Sequence, residues 1–388
     1  MSRIEKLIKD TCPDGVEYQK LEDVLEYEQP TKYIVSNTEY DNSNPIPVLT
    51  AGRSFILGYT DEIDGVYKAS KEKPVIIFDD FTTSFHWVDF EFKVKSSAMK
   101  MLRPRDWNKY NFRYLYYAMC TIEYVPVEHS RQWISNYSQF EIPVPPIEVQ
   151  QEIVRILDKF TELEAGLQAE LEARKKQYEY YREMLLDETV IKIKLGSICK
   201  VITKGTTPKS FTDTGVNFIK TEAFDGNRIN KIKLSHIDVY THTTFLKRSI
   251  LEEGDILLTI AGATIGKCAI VTSDVLPANT NQALAIIRLN ADINRDYIMH
   301  VIRSNNMKNY INKKVKGSAQ PNLTLELINE FTLPLPSLEE QDQVVIALDK
   351  FDNFCNDSER GLPAEIEARH KQYEYYRDKL LTFERKVV

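Results

Sequence analysis

Residues 172–182 read EARKKQYEYYR and residues 367–377 read EARHKQYEYYR, so ten of eleven positions are identical. A second pair of matching blocks precedes them: residues 142–160 read IPVPPIEVQQEIVRILDKF, and residues 333–351 read LPLPSLEEQDQVVIALDKF. The offset between the copies grows from 191 to 195, so the second copy holds four extra residues. Two matching blocks in the same order indicate an internal duplication, and a repeat of this kind is stronger evidence of architecture than any short motif.

Each copy has the sequence pattern of a long helix. Ser337 and Glu340 have the spacing of a capping box, in which the hydroxyl and the carboxylate satisfy free backbone donors at a helix start. No proline interrupts residues 147–187, whereas Gly361 and Pro363 predict a break or bend in the second copy. We therefore expect one continuous helix in the first copy and an interrupted one in the second.

Apolar side chains recur in each copy at intervals of three, four and seven residues, which is the spacing of a coiled-coil seam. The predicted packing positions are Phe160, Leu171, Tyr178 and Leu185 in the first copy and Phe351, Ile366, Tyr373 and Leu380 in the second. Because sequences this similar should make equivalent contacts, we expect the two helices to pack on each other with pseudo-twofold symmetry. At about 1.5 Å per residue, about 40 residues give a rod of about 60 Å, which would act as a spacer.

The segments between the helices differ from each other and are rich in β-branched and aromatic runs. The predicted strands include residues 75–78, 90–94, 256–260 and 284–287, and the predicted helices include about 108–120 and 295–313. The sequence thus predicts an α+β protein with four parts: a first domain with an N-terminal segment (1–141), a spacer helix (142–194), a second domain (195–332) and a second spacer helix (333–388). A constant frame that carries two unlike domains is what a reader of two different DNA half-sites requires.

Charge is distributed unevenly along the chain, whose formal net charge is −7. Residues 195–332 contain 17 basic and 12 acidic residues, whereas residues 21–141 contain 13 basic and 18 acidic residues. Clustered cations suit DNA phosphates, and side-chain amides suit base edges. The predicted DNA contacts are Lys93, Lys95, Lys100, Arg103 and Arg105 in the first domain, and Lys204, Thr206, Lys209, Lys231, Lys233, Lys313, Lys314, Lys316, Gln320 and Asn322 in the second. A solvated charged surface is the structural alternative for each cluster.

Several other functions are disfavoured by the sequence. The five cysteines lie far apart without a CxxC pair, which predicts neither a disulfide framework nor a zinc site. The apolar runs are too short to span a bilayer and the start is no signal peptide, so we expect a cytoplasmic protein. Residues 262–268 (GATIGKC) lack the Ser or Thr of a phosphate loop, and no cofactor loop of a methyltransferase is found. We expect no catalytic residue and no metal site in this chain.

The chain resembles the specificity subunits of type I restriction-modification systems over nearly all of its length. The resemblance rests on residues 12–16 (CPDGV), residues 194–196 (KLG), residues 205–208 (GTTP) and the paired helix blocks. It implies two target recognition domains, each reading one half of a split, asymmetric DNA site, and conserved helices that pack as an antiparallel coiled coil. It also implies that two methyltransferase subunits and, for cleavage, restriction subunits dock on this frame. S-adenosylmethionine and ATP with Mg would be bound by those partners, and no cofactor by this chain.

Two other functions remain open from the sequence alone. One is a non-enzymatic scaffold whose coiled coil joins two β-rich domains that bind protein. The other is a metal-dependent nuclease, because Asp80 with Glu91 and Lys93 imitates a carboxylate-carboxylate-lysine metal site. Salt-dependent, sequence-selective DNA binding would distinguish a DNA specificity subunit from the scaffold. Metal-dependent cleavage by this chain alone would favour the nuclease.

Overall fold

A computed structural model describes residues 3–52, 54–127, 130–187, 192–315, 322–357 and 360–386. The chain divides into two compact units, the first made of Met1–Gly166 with Glu367–Val388, and the second of Leu167–Ile366. Of the helices in these described ranges, none combines the length and the apolar character needed to cross a lipid bilayer.

Helices and strands are distributed as follows. The helices are α1 (Arg3–Thr11), α2 (Leu21–Val24), α3 (Phe112–Met119), α4 (Ile147–Asp187), α5 (Arg295–Arg303), α6 (Asn305–Val315), α7 (Leu325–Glu330), α8 (Leu338–Asn356) and α9 (Leu362–Leu381). The strands up to α4 are β1 (Glu17–Lys20), β2 (Leu25–Glu28), β3 (Ile46–Leu49), β4 (Ile56–Thr60), β5 (Val75–Asp79), β6 (Phe85–Val88), β7 (Lys93–Val94), β8 (Met99–Pro104) and β9 (Glu141–Val144). The strands after it are β10 (Lys192–Lys194), β11 (Cys199–Lys204), β12 (Val216–Ile219), β13 (Phe224–Asp225), β14 (Arg228–Ile229), β15 (Ser235–Ile237), β16 (Ile256–Thr259), β17 (Cys268–Ile270), β18 (Ala278–Thr280), β19 (Leu284–Leu289) and β20 (Thr332–Pro334).

The two units share one strand order. The first has an antiparallel sheet in the order β2-β8-β5-β6 and a smaller sheet in the order β4-β3-β7, in which β3 and β7 are parallel. The second has the corresponding sheets β11-β19-β16-β17 and β15-β12-β18, in which β12 and β18 are parallel. The hairpin of β13 and β14 is an addition in the second unit. The duplication seen in the helix blocks therefore extends to domains whose sequences differ.

Each domain is attached to its helix in the same way. β1 pairs antiparallel with β9 in the first unit, and β10 pairs antiparallel with β20 in the second. The Tyr114 hydroxyl donates to the Pro143 carbonyl oxygen at 2.9 Å, and the Tyr297 hydroxyl donates to the Pro334 carbonyl oxygen at 3.0 Å. The entering and leaving segments of each domain are thus held side by side where the repeated helix block begins.

The first half of α4 packs against α9 within the first unit. The Phe160 ring stacks on Tyr376 with centroids 5.4 Å apart, and the rings of Tyr117 and Tyr373 lie 6.3 Å apart. Leu380 packs against the same core at its edge. Since later residues of α4 face earlier residues of α9, as in the 3.1 Å contact of Glu164 with His370, the two helices run antiparallel.

The second half of α4 packs against α8 within the second unit. The Phe351 ring lies 6.5 Å from Tyr178 and 5.5 Å from Tyr181, both stacked. Leu171 is buried with Cys355 in a small cluster. These contacts again pair later residues of one helix with earlier residues of the other, so the predicted antiparallel coiled-coil packing is present in each unit.

Two further packing positions lie beside these. Ile366 is partly buried against Leu362 in the cluster that contains Leu171. Leu185 is also only partly buried, whereas its neighbour Leu186 is 7% exposed and belongs to the core of the second unit. The buried stripe of α4 has therefore moved by one residue from the predicted seam at its end.

The predicted helix start and helix break are both confirmed. The Ser337 backbone N–H donates to Glu340 Oε2 at 2.9 Å and the Ser337 hydroxyl accepts from the Glu340 backbone N–H at 3.4 Å, which completes the capping box. α8 ends at Asn356 and α9 begins at Leu362, so the second copy forms two helices where the first copy forms one. The prediction of a single helix for residues 295–313 was wrong. This segment forms two helices, α5 and α6, which are separated at Ser304.

The segments near the two ends of the chain contact each other within the first unit. The Val16 backbone N–H donates to the Glu384 carbonyl oxygen at 2.9 Å, and the Lys386 backbone N–H donates to the Val16 carbonyl oxygen at 3.0 Å. The first unit is therefore completed by residues from both ends of the sequence.

Candidate nucleic-acid interface

The turn at residues 205–208 lies at the end of β11 and is held against the segment between β18 and β19. The Gly205 backbone N–H donates to the Leu284 carbonyl oxygen at 3.1 Å, and that of Thr206 donates to the Thr280 carbonyl oxygen at 3.0 Å. A Cβ atom on Gly205 would lie 2.2 Å from two backbone oxygens of that segment, so only glycine allows the close approach. The Thr206 side chain stays exposed.

Cations lie over aromatic rings beside this turn. Lys209 Nζ is 5.8 Å from the centroid of Phe245, and Lys220 Nζ is 4.2 Å from that of Phe211. Phe245 is 54% exposed and Phe211 45% exposed, although large apolar side chains are usually buried. Exposed aromatic rings interleaved with cations are suited to a nucleic-acid surface, where they can contact sugars and bases.

A helical turn at Thr241–Phe245 is fixed to the same support. His242 Nδ1 lies 2.5 Å from Asn279 Oδ1, and Asn279 Nδ2 donates to the Leu246 carbonyl oxygen at 3.0 Å. Lys247 and Arg248 follow this turn and are exposed. These two residues were not among the predicted contacts, although a Lys-Arg pair directly after Phe-Leu was a usable signal.

Together these segments form what we name the Thr-Thr-Pro loop cluster, residues 204–211, 240–248 and 279–283. Its exposed cations are Lys204, Lys209, Lys247 and Arg248. None of the three segments contains Asp or Glu. The cluster is therefore a cationic surface on the second domain with exposed threonine hydroxyls among the charges.

Lys231 and Lys233 lie apart from the cluster, in the turn before β15. Lys231 Nζ is 2.6 Å from an Asp274 carboxylate oxygen, and this contact, with the hydroxyl of Thr272, holds the pKa of the Asp274 carboxyl below its ordinary value. Lys233 is exposed. This pair is exposed, so Lys231 can exchange its carboxylate for a phosphate at a small cost, whereas Lys233 has no ion pair to break among the described residues.

The predicted contacts around α6 are described only in part. Lys313 and Lys314 are exposed on the last turn of this helix, and Lys314 Nζ lies 5.9 Å from the Tyr310 ring centroid. Asn322 is exposed, and its backbone forms a bridge with Ala261. Lys316 and Gln320 lie outside the described residues.

Three of the five cations predicted in the first domain reach its surface. Lys95 and Arg105 are exposed, and Arg105 Nε donates to the Glu22 carbonyl oxygen at 2.8 Å. Arg103 is partly exposed and its Nη2 lies 3.5 Å from Glu28 Oε2. An ion pair this exposed contributes about 0–1 kcal/mol, so it leaves Arg103 able to change partner.

The other two cations are buried, which corrects the prediction that they contact DNA. Lys93 is 3% exposed, and its Nζ donates to the Asp64 carbonyl oxygen at 2.6 Å and lies 2.9 Å from Glu62 Oε2. Lys100 is 0% exposed, and its Nζ lies 3.2 Å from Asp80 Oδ2. Both lysines neutralise carboxylates inside the domain, because an unpaired charge at such a position would be very costly.

The two carboxylates of the nuclease alternative have separate structural partners. Asp80 is buried, where Oδ1 accepts from the Trp133 backbone N–H at 2.9 Å and Oδ2 faces Lys100. Glu91 is exposed and lies 2.7 Å from Lys68 Nζ. Within the described part of the chain, no group of three or more His, Cys, Asp or Glu side chains is arranged to hold a metal ion.

Comparisons with known proteins agree with these features. The model of the type I restriction modification DNA specificity domain matches the chain twice, over residues 13–173 and 187–368. The chain is 42% identical to a type I restriction enzyme specificity subunit of Escherichia coli, an alignment that covers 99% of this chain and 97% of that one. It is 28% identical to a putative specificity subunit of Haemophilus influenzae over 98% of each chain.

Solved structures show the same fold. An S subunit of a type I restriction-modification system from M. genitalium superposes with a TM-score of 0.54 at 16% identity, covering 95% of this chain and 96% of that chain. A chain from a structure on complex assembly and conformational transition of the type I R-M system gives a TM-score of 0.60 at 15% identity, covering 95% and 98%. With two family-model matches and a 42% identical relative along almost its whole length, the chain belongs to the family of type I restriction-modification specificity subunits, the non-catalytic components of these systems.

Proposed function

We propose that this specificity subunit recognises a bipartite, asymmetric site in double-stranded DNA, with one half-site read by each domain. The observation that carries the proposal is the shared strand order of the two units beneath unlike surface segments. Equivalent sheets give one chain two DNA-recognition domains, and the different loops on these sheets give the two domains different sequence specificities. An asymmetric site is the expected consequence.

In the second domain, we assign DNA contact to the Thr-Thr-Pro loop cluster. Lys204, Lys209, Lys247 and Arg248 supply cations for phosphates, whose contacts give affinity without sequence information. The exposed Thr206 hydroxyl can donate to or accept from base edges in the major groove. Lys313 and Lys314 provide a further pair of phosphate contacts on α6, Lys233 provides another beside β15, and Asn322 an amide for a base edge.

In the first domain, the contact surface is proposed to contain Lys95, Arg103 and Arg105. Arg103 lies near the end of β8 and Arg105 directly follows this strand, so the two are expected on one side, because alternate residues of extended chain point the same way. An Arg side chain can contact two acceptors of guanine at once, which is the commonest specific contact in the major groove. Fewer cations in this domain imply a weaker phosphate contribution than in the second.

The partners proposed for the chain follow from its family. The Escherichia coli relative is named a specificity subunit of a restriction enzyme, and such a subunit implies other subunits that do the chemistry. We infer that two methyltransferase subunits and, for cleavage, restriction subunits dock on this chain. S-adenosylmethionine and ATP with Mg would bind to those partners.

The test uses the chain assembled with its methyltransferase subunit. Its target is first mapped from the modified bases, and binding to target and scrambled duplexes is then titrated at several salt concentrations. Changing Lys204, Lys209 and Lys247 to Ala should weaken binding to both duplexes and lower the salt slope by roughly one unit for each lysine that neutralises a phosphate. A control variant with Lys371 and Lys379 changed to Ala, at exposed positions of α9 where no DNA contact is proposed, should leave the slope unchanged.

Two outcomes would overturn the proposal. Binding without preference for any sequence would favour the protein scaffold, since a scaffold needs no base contact. An unchanged salt slope in the Lys204, Lys209 and Lys247 variant, with normal sequence preference, would remove the loop cluster from the interface. In the same assay, Thr206→Ala should relax the second half-site while leaving the salt slope unchanged.

A further inference from the structure

A cleft of about 510 Å³ opens in the second unit between the end of α4, helices α5 and α6, and the turn that joins β16 to β17. Among the described residues that line it, four are cationic, Arg182, Lys267, Arg303 and Lys308, and none is acidic. The remaining lining is mostly apolar, with the amide of Asn312 near the mouth. Concave sites with an apolar wall and a few convergent polar groups are the usual form of small-molecule sites.

Arg182 is the unusual member of this lining because two of the three nitrogen atoms of its buried guanidinium have no hydrogen-bond partner among the described residues. The residue is 4% exposed, and its Nε and Nη2 atoms have no hydrogen-bond partner among the described residues. The guanidinium carbon lies 5.1 Å from the ring centroid of Tyr178. A guanidinium stays charged at any accessible pH, so a buried one with free donors strongly favours an anion.

The carboxylate next to Arg182 is used elsewhere. Glu183 Oε1 lies 3.6 Å from Arg182 Nε, beyond hydrogen-bond distance, and instead accepts from the Asn305 backbone N–H at 2.8 Å. This bond satisfies a free donor at the start of α6. The structure therefore uses the nearest acid to hold a helix, and Arg182 is left with unused donors.

The charge of Arg303, by contrast, is already matched. Its two terminal nitrogens donate to both carboxylate oxygens of Asp352 at 3.0 and 3.1 Å. The cations left for a ligand are Lys267 and Lys308, together with the Arg182 guanidinium, which has two nitrogen atoms without a hydrogen bond. Since Lys267 and Lys308 are exposed at the mouth, they can attract an anion toward the buried guanidinium.

The internal repeat supplies a comparison at the equivalent position. Arg182 corresponds to Arg377 in the second copy of the KQYEYYR block. There the following residue is Asp378, and Arg377 Nε donates to its carboxylate at 2.8 Å. The same arginine thus donates a hydrogen bond to the following acid in one copy and lies beyond hydrogen-bond distance from it in the other, so its free donors are a feature of the second unit and not of the repeat.

We propose that this cleft binds a phosphate-class oxyanion, with Arg182 as the buried donor and Lys267 and Lys308 as cations at its mouth. Guanidinium groups match the geometry of phosphate oxygens and make strong charge-assisted hydrogen bonds with them. The apolar walls, which include Ile265 and Ile311, leave room for a small organic group attached to the phosphate. The proposal is separate from the DNA contacts assigned above, because Arg182, Lys267 and Lys308 are not among those contacts.

The test is a titration of the full-length chain with inorganic phosphate, with chloride adjusted to keep the ionic strength constant. Saturable heat of binding and a saturable rise in Tm are expected for the wild-type chain. Arg182→Gln should weaken binding by at least about tenfold, the effect of removing charged hydrogen bonds. Arg377→Gln is the matched control and should leave phosphate affinity unchanged.

A second variant guards against misfolding of Arg182→Gln. Changing the exposed Lys267 and Lys308 together to Gln should also reduce phosphate affinity while preserving the fold. No saturable response in the wild-type chain, or equal affinities of the Arg182→Gln and Arg377→Gln variants, would overturn the proposal.

The source of the phosphate group is decided by repeating the titration with bound duplex DNA. If a backbone phosphate of the duplex occupies the cleft, DNA will compete with inorganic phosphate and Arg182→Gln will lower the salt slope of DNA binding. If a free phosphate compound is the ligand, the phosphate affinity will be the same with and without DNA. Both results support an oxyanion site and differ only in what fills it.

Discussion

Lys100 shows how a cationic side chain can belong to the interior of a domain. It lies in β8 facing Asp80, and both residues are at most 1% exposed. A buried ion pair contributes little net stability compared with apolar packing, but removing one partner leaves the other charge buried and uncompensated. The residue therefore acts on folding, and its effect on DNA binding should be indirect.

Replacing Lys100 with Met tests this role. The change should lower the free energy of unfolding of the first unit by about 3–5 kcal/mol, because Asp80 loses its counterion. Lys95→Met, at an exposed position in the same domain, should change it by no more than about 0.5 kcal/mol. Denaturant unfolding of the two variants provides the measurement. A Lys100→Met chain with unchanged stability and a reduced salt slope of DNA binding would show that Lys100 contacts DNA after all.

His300 is the second residue with a role inside the fold. Its Nε2 lies 2.9 Å from Asp349 Oδ1 and its Nδ1 3.3 Å from the Tyr178 hydroxyl. Burial lowers the pKa of this imidazole, although Asp349 and Asp352 act in the opposite direction and Arg303 in the same one. The neutral ring is thus the form that fits between α4, α5 and α8.

This lowered pKa gives the second unit a defined acid sensitivity. Below about pH 6.5 the unfolded chain takes up a proton that the folded chain resists, so stability falls as the pH falls through this range. The decrease in Tm on acidification should be smaller for His300→Gln than for the wild-type chain, even if the variant is less stable at neutral pH. Parallel curves for the two chains would show that other groups account for the acid sensitivity.

For single residues, the sequence identified the cationic side chains but did not predict which of them are buried and which are exposed. Lys93 and Lys95 are two positions apart with the same charge, yet one is buried and the other exposed. What separates them is Glu62, which is distant in sequence and reaches Lys93 only through the fold. The prediction also missed Lys247 and Arg248 of the Thr-Thr-Pro loop cluster. Only the fold brings their turn next to residues 205–208, and no local sequence signal shows this.

Among the helices, α4 is continuous whereas the second copy is divided into α8 and α9, and a glycine in each copy illustrates this difference. A Cβ atom on Gly361 would lie 2.7 Å from the carbonyl oxygens of Asn353 and Phe354, whereas one on Gly166 would meet nothing within 4 Å. The first glycine is required where the chain returns close to the end of α8. The second interrupts nothing, since α4 continues through it.

The two positions should therefore respond to alanine in opposite directions. Gly361→Ala should lower the free energy of unfolding by about 1–3 kcal/mol, because fixed backbone oxygens cannot move away from the added methyl group. Gly166→Ala should raise it by about 0.5–1 kcal/mol through the lower entropy of the unfolded helix segment. Denaturant midpoints of the two variants give both values in one experiment. Equal changes of the same sign would contradict the assigned roles.

Helices were predictable from the sequence, and the order of the strands was not. The apolar spacing, the capping box at Ser337 and the break near Gly361 are local signals that the structure reproduces. Strand order depends on pairings between distant segments, such as β2 with β8, and many sequences satisfy the same pairing. For this reason two domains with little sequence similarity share one topology, and the predicted strand at residues 90–94 is reduced to Lys93–Val94.

For the molecule as a whole, the paired strands at the base of each domain set where an exchange should be made. β10 and β20 bring the two ends of the second domain together, so residues 195–331 can be replaced without altering the repeated helices. Replacing them with the matching segment of a relative should change one half of the methylated sequence and leave the other half as it was. Mapping of modified bases in cells that express the hybrid with its methyltransferase gives the result. A change in both halves would show that the domains do not read independently.

The composition of the two units also determines the order in which they can form during synthesis. The second unit is one uninterrupted stretch, Leu167–Ile366, whereas the first is completed only by Glu367–Val388. Until α9 emerges from the ribosome, the rings of Tyr117 and Phe160 lack their partners Tyr373 and Tyr376. The domain that is translated first is therefore finished last, and a nascent chain released before residue 367 would display an uncovered aromatic face that chaperones and proteases recognise.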